Sequence, residues 1–424
     1  MPTLDEARRL ILERTGTLGT ETVELVDSLG LVTAEGIASP WDMPLSSNSA
    51  MDGFAVCLAD CRDGAQLQIT GFIPAGSRSN DRVEPGCAIR IMTGALIPEG
   101  CDAVVPFERA EECDGWVTFK EPIRVHQNIR LAGTDVRRGE VVVPAGTAIG
   151  VPEISMMAGC GKSCVTVFRR PRVAILSTGD ELLAVGEEVT PGMVVDSNGV
   201  SLAAAAKECG AKVEFLGIAR DTYDSHVEKM TIGLEADIFI TTAGVSVGER
   251  DLVRKVLAGL GVSQLFYGVD VRPGGPTTFG VKDNRLVFCL PGNPVASILI
   301  FEELVRPAIL KAMGYKRILR PSVRAVLKER ASKSEGRVKL LRVRLELGES
   351  CLLATSSGDQ NTGMLKTLLR ADGVAVLPAE RTTLDAGEEV DVHLYSANSL
   401  MRAPFSRSSI SGCSVKVQYS QADE

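Results

Sequence analysis

Three acidic residues stand where a parallel sheet would present them to a ligand. Glu181, Asp221 and Asp251 each follow a short aliphatic run and precede a helical one. Carboxylates gathered at one rim can hold a hard cation such as Mg2+ against a phosphate. Singly, each reads as a helix cap or a solvated acid; at successive strand ends they read as functional. Between them runs Ala243-Gly244-Val245-Ser246-Val247-Gly248-Glu249, a glycine-rich loop leading into a helix. Such a loop presents backbone N–H groups and a positive helix end, which suits a phosphate or another oxyanion. A tight strand-to-helix turn has the same composition. The loop carries no Gly-Lys-Ser/Thr and no dinucleotide fingerprint. Two further loops are stiffened by proline. Arg272-Pro273-Gly274-Gly275-Pro276 offers one guanidinium able to grip an oxyanion with two parallel bonds. Leu290-Pro291-Gly292-Asn293-Pro294 joins a strand to a helix, with Pro294 at the first helical turn.

The elements that must carry these loops follow from periodicity. Strands are expected at 173–176, 213–218, 237–242, 265–269 and 286–290. Helices are expected at 199–208, 225–234, 251–260 and 295–313. Alternation of this kind implies crossover connections and a mostly parallel sheet covered on both faces. Its ligands bind beyond the carboxyl ends of the strands. Upstream, Thr3 and Glu6 form a capping box for a helix carrying Leu4, Ala7, Leu10 and Ile11 on one face, with Gly16 as the stop. From Met43 to Val143 short apolar runs alternate with Pro and Gly turns, so this stretch is read as a β-rich module. Downstream of Arg320, strands are expected at 323–327, 338–347, 352–355, 374–377 and 390–394. The tail from Ser396 is serine-rich and aperiodic, and is read as disordered.

Composition limits the function classes. With 424 residues, about three domains are expected at roughly 150 residues each. A formal charge of -8 excludes a generally basic nucleic-acid binder. Aromatics make up only 4%, so the cores are aliphatic. No uninterrupted apolar run of about 18 residues is present, and Met1–Glu13 is too charged for a signal peptide. A cytoplasmic, reducing setting is therefore expected. The 11 cysteines are scattered, and the pairs Cys57/Cys61 and Cys160/Cys164 read as buried or incidental thiols rather than as a zinc site.

Seven segments, in order, resemble the molybdopterin molybdenumtransferase family, the MoeA and gephyrin E-domain proteins. They are Asn48–Val56, Ile91–Ala95, Asp102–Pro106, Arg170–Leu182, Gly244–Asp251, Pro276–Gly280 and Leu290–Val295. The resemblance spans roughly residues 3 to 395. It implies an elongated homodimer of four-domain chains: domain I from 1–40 and 140–171, the β-rich domain II at 41–139, the α/β domain III at 172–318, and a small β-domain IV at 319–396. The tail is then 397–424. It further implies insertion of molybdenum from molybdate into adenylylated molybdopterin, with Mg2+-dependent release of AMP. An upstream adenylyltransferase and downstream molybdoenzymes or their chaperones would be its partners, with neither nucleic acid nor membrane involved. The active site would lie between domain III of one subunit and domains II and IV of the other.

Carried onto matching positions, the resemblance assigns catalysis to Asp52, Thr93, Glu181, Asp221 and Asp251, the last three also as metal ligands. Substrate contacts fall on Asp135, Thr178, Gly179, Gly244, Ser246, Gly248, Arg272, Gly274, Pro291, Pro294, Arg337 and Thr362. One departure bears on chemistry. The family's Lys-Pro-Gly-Lys-Pro loop keeps its first cation as Arg272 and loses the second at Gly275. That leaves open a preference for tungstate, or a non-catalytic, dimeric, gephyrin-like scaffold.

Overall fold

The computed structural model describes residues 1–62, 64–77, 81–242, 252–395 and 417–418. The chain starts with the helix Leu4–Arg14. Both halves of its capping box form: Glu6 N–H donates to Thr3 Oγ1 at 3.2 Å, and Thr3 N–H to Glu6 Oε2 at 2.9 Å. Leu4, Ala7 and Ile11 are buried, as the 3.6-residue period requires. The strand Thr20–Glu24 then pairs antiparallel with Cys164–Phe168, and Ile37–Ala38 with Val141–Val143. Segments more than 100 residues apart thus close one unit, and the β-rich stretch lies between them. That stretch forms a six-stranded sheet in the order Ala103–Pro106, Gly53–Val56, Cys87–Ile91, Leu67–Ile73, Trp116–Phe119, Ala110–Cys113.

The α/β unit holds a six-stranded sheet ordered Lys212–Ala219, Arg172–Thr178, Ile238–Thr242, Arg285–Leu290, Thr278–Lys282, Ser263–Tyr267. The first four run parallel, joined by crossovers. The last two run antiparallel, which the strand–helix alternation did not foresee. The reason is local: Lys282 pairs with Arg285 across a two-residue turn, and Asp283 there takes a φ of 53°. Burial is nearly complete on the central strands, with no exposed residue from Ile238 to Thr242. The expected helix 295–313 is one rod, Pro294–Ala312, interrupted by a π-turn at Phe301–Val305.

The C-terminal strands close into a small barrel. Val338–Leu347 pairs with both Leu352–Ser356 and Gly373–Leu377, and Ser322–Leu327 and Glu389–Leu394 complete the ring. Closure removes the exposed edges. A helix, Leu365–Arg370, was not anticipated, because six residues are too short for a periodic signal. Of the tail, only Val417–Gln418 lies within the described residues, as a strand beside Ser322 and Val323. Among the described residues no helix is long and apolar enough to cross a membrane.

One hydrophobic core runs from the first helix through the α/β sheet to Leu340 and Val374 of the barrel. Glu303, on the π-turn, is buried in it. Its Oε2 accepts from Arg8 of the first helix at 2.7 Å, and its Oε1 lies 2.8 Å from His393 Nδ1 on the last barrel strand. Burial alone would raise this carboxyl, but His393 and Arg8 outweigh it and hold it down to about 2. Burial likewise pulls His393 down, and Glu303 more than restores it, to above the usual imidazole value.

The stabilisation from the pair is therefore greatest between the two unfolded values, 4.5 for the carboxyl and 6.5 for the imidazole. The His393 contribution is present below its unfolded pKa and is lost as pH rises through the raised folded one. The Glu303 contribution is lost as pH falls toward about 2. The variant His393→Gln should lose about 1.5–3 kcal/mol near pH 5.5, the range for a hydrogen bond to a charged group, and much less at pH 9. Thermal melts across pH test this; an equal deficit at both pH values would contradict it.

Candidate functional site

The parallel strands Arg172–Thr178, Lys212–Ala219 and Ile238–Thr242 end at one edge of the sheet. Arg172–Thr178 ends at Thr178, whose buried Oγ1 donates to the Thr242 carbonyl at 2.9 Å across the neighbouring strand. Its proton is thus committed, and the oxygen can only accept from a ligand. Gly179 follows with a φ of 142°, a backbone that side chains avoid, and an added Cβ would run into the Glu181 carboxylate. Glycine at 179 is what lets the glutamate fold back over the strand end. Glu181 is exposed, and its backbone carbonyl is anchored by Val194 N–H at 2.8 Å.

Asp221 is met by a residue that sequence reasoning passed over. Asp180 and Asp221 exchange backbone-to-carboxylate bonds: Asp221 N–H donates to Asp180 Oδ1 at 3.1 Å, and Asp180 N–H to Asp221 Oδ2 at 3.4 Å. Arg220 clasps the same loop through the carbonyls of Asp180 and Leu182, at 3.2 and 3.0 Å. Acids from two strand ends are thus held together by the loop backbone. Asp251, Gly244, Ser246 and Gly248 lie outside the described residues. Among the described residues no three acidic, cysteine or histidine side chains form a ready cage for a cation. Mg2+ needs none, because it keeps waters and binds through one or two carboxylates and substrate phosphates. The hard oxygen donors of Glu181, Asp180 and Asp221 fit that mode.

A second missed residue is Asn198, at the start of the helix Ser197–Glu208. Its Nδ2 donates to the Gly292 carbonyl at 2.7 Å, while its Oδ1 is buried without a partner, as is Oδ2 of the helix cap Asp196. Asp-Ser-Asn-Gly could have been read as a cap, but nothing in the sequence ties it to the proline loop. In that loop Pro291 is buried and Pro294 opens the next helix. Thr362, from the barrel, accepts through its carbonyl from Val295 N–H at 3.2 Å.

Arg272 sits on a two-residue strand, Val271–Arg272, that leaves the α/β sheet and pairs parallel with Val338–Lys339 of the barrel. Gly274 is buried over Ile300 with a φ of 113°. Arg337 is exposed, its Nε 3.9 Å from Asp270 Oδ1. Burial first, then the charges of Arg272 and Lys333, lower the Lys339 ammonium below its usual range.

Asp52 and Thr93 form a separate unit on the β-rich sheet. Asp52 Oδ1 accepts from Thr93 N–H and Thr93 Oγ1, both at 2.7 Å, and these bonds hold the exposed carboxyl below its ordinary range. No hydrogen bond or ion pair among the described residues joins this unit to Asp180, Glu181 or Asp221. Asp135 is exposed, its N–H donating to the Met43 carbonyl at 2.9 Å.

Acidic and hydroxyl-bearing loops at the carboxyl edge of a parallel sheet, with a cationic seam onto a barrel, define a multidomain α/β protein suited to a polyanionic ligand and a hard cation. Comparison with known proteins names the family. Residues 2–161 match the MoeA N-terminal region (domain I and II), residues 174–311 the model described as "Probable molybdopterin binding domain", and residues 324–395 the MoeA C-terminal region (domain IV). The chain is 34% identical over 400 residues to the molybdopterin molybdenumtransferase of Staphylococcus epidermidis, covering 93% of this chain and 96% of that one. It is 35% identical over 402 residues to that of Haemophilus influenzae, covering 93% and 99%. A crystal structure of a molybdopterin biosynthesis MoeA protein from Pyrococcus horikosii superposes with a TM-score of 0.81 at 30% identity, covering 93% of this chain and 99% of that one. The chain belongs to the molybdopterin molybdenumtransferase family, enzymes of molybdenum cofactor biosynthesis.

The strand-end geometry generates one direct expectation. Gly179→Ala should cost roughly 1–3 kcal/mol, through a φ that side chains avoid. A melting midpoint unchanged from wild type would show that the loop is not held as described.

Proposed function

We propose that the chain inserts molybdenum from molybdate into adenylylated molybdopterin, with Mg2+-dependent release of AMP. The observation that carries this reading is the pairing of hard oxygen donors at the α/β strand ends with a cationic seam, in a chain that matches its family over nearly its whole length. Phosphoanhydride cleavage needs charge neutralised at the phosphates and an oriented attacking oxygen. Glu181, Asp221 and Asp251 would hold Mg2+, with Asp180 orienting Asp221. When bound, the cation supplies charge neutralisation at the phosphates. Thr178 and the backbone around Gly179 line the floor of this edge. Arg272 and Arg337 hold the oxyanion, an oxygen of which attacks the anhydride. Asn198 fixes the proline loop as a wall, leaving its buried Oδ1 free to accept from the pterin.

In the same proposal the working form is a homodimer. Asp52 and Thr93 of one subunit would then face the α/β unit of the other. The absence of any bond between these groups within one chain, among the described residues, is consistent with that arrangement.

The reading is tested by following AMP and cofactor formation from adenylylated molybdopterin with molybdate. Asp221→Ala and Glu181→Ala should each slow release by about a hundredfold, typical for loss of one group stabilising developing charge. EDTA should abolish it. Unchanged rates in both variants would refute the assigned roles, and faster turnover with tungstate would reassign the metal.

A further inference from the structure

The seam between the α/β unit and the barrel concentrates positive charge. Val271–Arg272 and Val338–Lys339 pair in parallel register, so Arg272 and Lys339 are lateral neighbours projecting from one face. Like charges placed opposite one another across strands destabilise a sheet. Here they are joined by Lys333, close enough to depress the Lys339 ammonium further, while Arg337 lies just before the strand that carries Lys339. Asp270 faces Arg337, its Oδ1 3.9 Å from the Arg337 Nε. The Arg272 guanidinium has no hydrogen bond or ion pair among the described residues. Lys339 Nζ donates to the Ser332 carbonyl at 2.7 Å, which leaves two of its three protons for a ligand.

Gly275 explains why this matters. An added Cβ there would meet nothing closer than the Val271 carbonyl at 3.6 Å, with Arg337 Nη1 at 4.0 Å, so the position tolerates a side chain. Its backbone needs no glycine. The loop lacks its second cation without a steric reason, beside a strand that holds an extra one.

We propose that Lys339 supplies the second cation of a tetrahedral-oxyanion cradle opposite Arg272, in place of the one absent at Gly275. The ligand is a small dianion such as molybdate or tungstate, held across the seam by Arg272, Arg337 and Lys339. This deepens the function proposed above and rests on it for the identity of the reaction, but not for the binding.

The test uses the full chain and two readouts. Sodium molybdate and sodium tungstate are titrated calorimetrically against wild type, Lys339→Ala, Lys339→Arg and the double variant Lys339→Ala/Gly275→Lys. Molybdate-dependent AMP release is measured on the same set, with Lys328→Ala, which pairs with Glu346 elsewhere on the barrel, as control. Lys339→Ala should weaken molybdate binding and raise its half-saturation by about tenfold or more, as expected for one charge-assisted bond. Half-saturation by the adenylylated substrate should not move. Lys339→Arg should retain binding, and Gly275→Lys should restore it in the alanine background. Unchanged oxyanion affinity in Lys339→Ala overturns the proposal. So does a loss that Gly275→Lys fails to repair, since that marks a structural role. Wild type that binds molybdate through Lys339 but releases no AMP would sink the transferase reading and leave the cradle standing.

Discussion

The tertiary structure turns on one buried carboxylate. Glu303 joins the first helix, through Arg8, to the last barrel strand, through His393, and itself belongs to the long helix of the α/β unit. Residues nearly 400 positions apart meet on a single side chain. An ion in such a place is costly unless fully paired. Its two oxygens are divided between the two partners, so one side chain ties the three parts together. The π-turn that carries Glu303 points it inward. Its neighbour Glu302 bonds Arg320 at 2.7 Å, fastening the start of the barrel to the same helix.

That fit sets the position of the seam. Arg272 and Lys339 belong to different units, and their register exists only because the α/β sheet and the barrel are locked together. The acids at the strand ends are positioned differently, by backbone donors of their own loops. Positive and negative halves of the site are therefore held by independent means: local hydrogen bonding for Asp180 and Asp221, and global packing for Arg272 and Lys339. An acidic protein can carry a local cationic patch because barrel closure gathers cations that lie some 60 to 70 positions apart in the chain.

Much of the fold was legible because its signals are short-ranged. Aliphatic runs marked the parallel strands to within a few residues, and the Thr3–Glu6 cap formed as read. The antiparallel pair Thr278–Lys282 and Ser263–Tyr267 was not legible in the alternation, since its direction is set by a turn at Asp283–Asn284. The two-residue strand Val271–Arg272 is too short to carry any period. Glu181 and Asp221 stood out by following strands. Asp180 and Asn198 did not, because each resembles an ordinary turn or cap until its distant partner is known.

The sequence by itself determined the family, the alternation of α and β elements, and most residue types the chemistry needs, since motifs and periodicity are local properties of the chain. Only the tertiary structure decided which of those residues meet. Asp180 lies 41 positions from Asp221, and Lys339 lies 67 from Arg272; contacts at such separations depend on crossover topology and strand register. The loop at Gly275 looked deficient in sequence. In the proposed cradle its apparent deficit is answered by a lysine on another strand, because strand pairing, and not chain order, places charges beside one another.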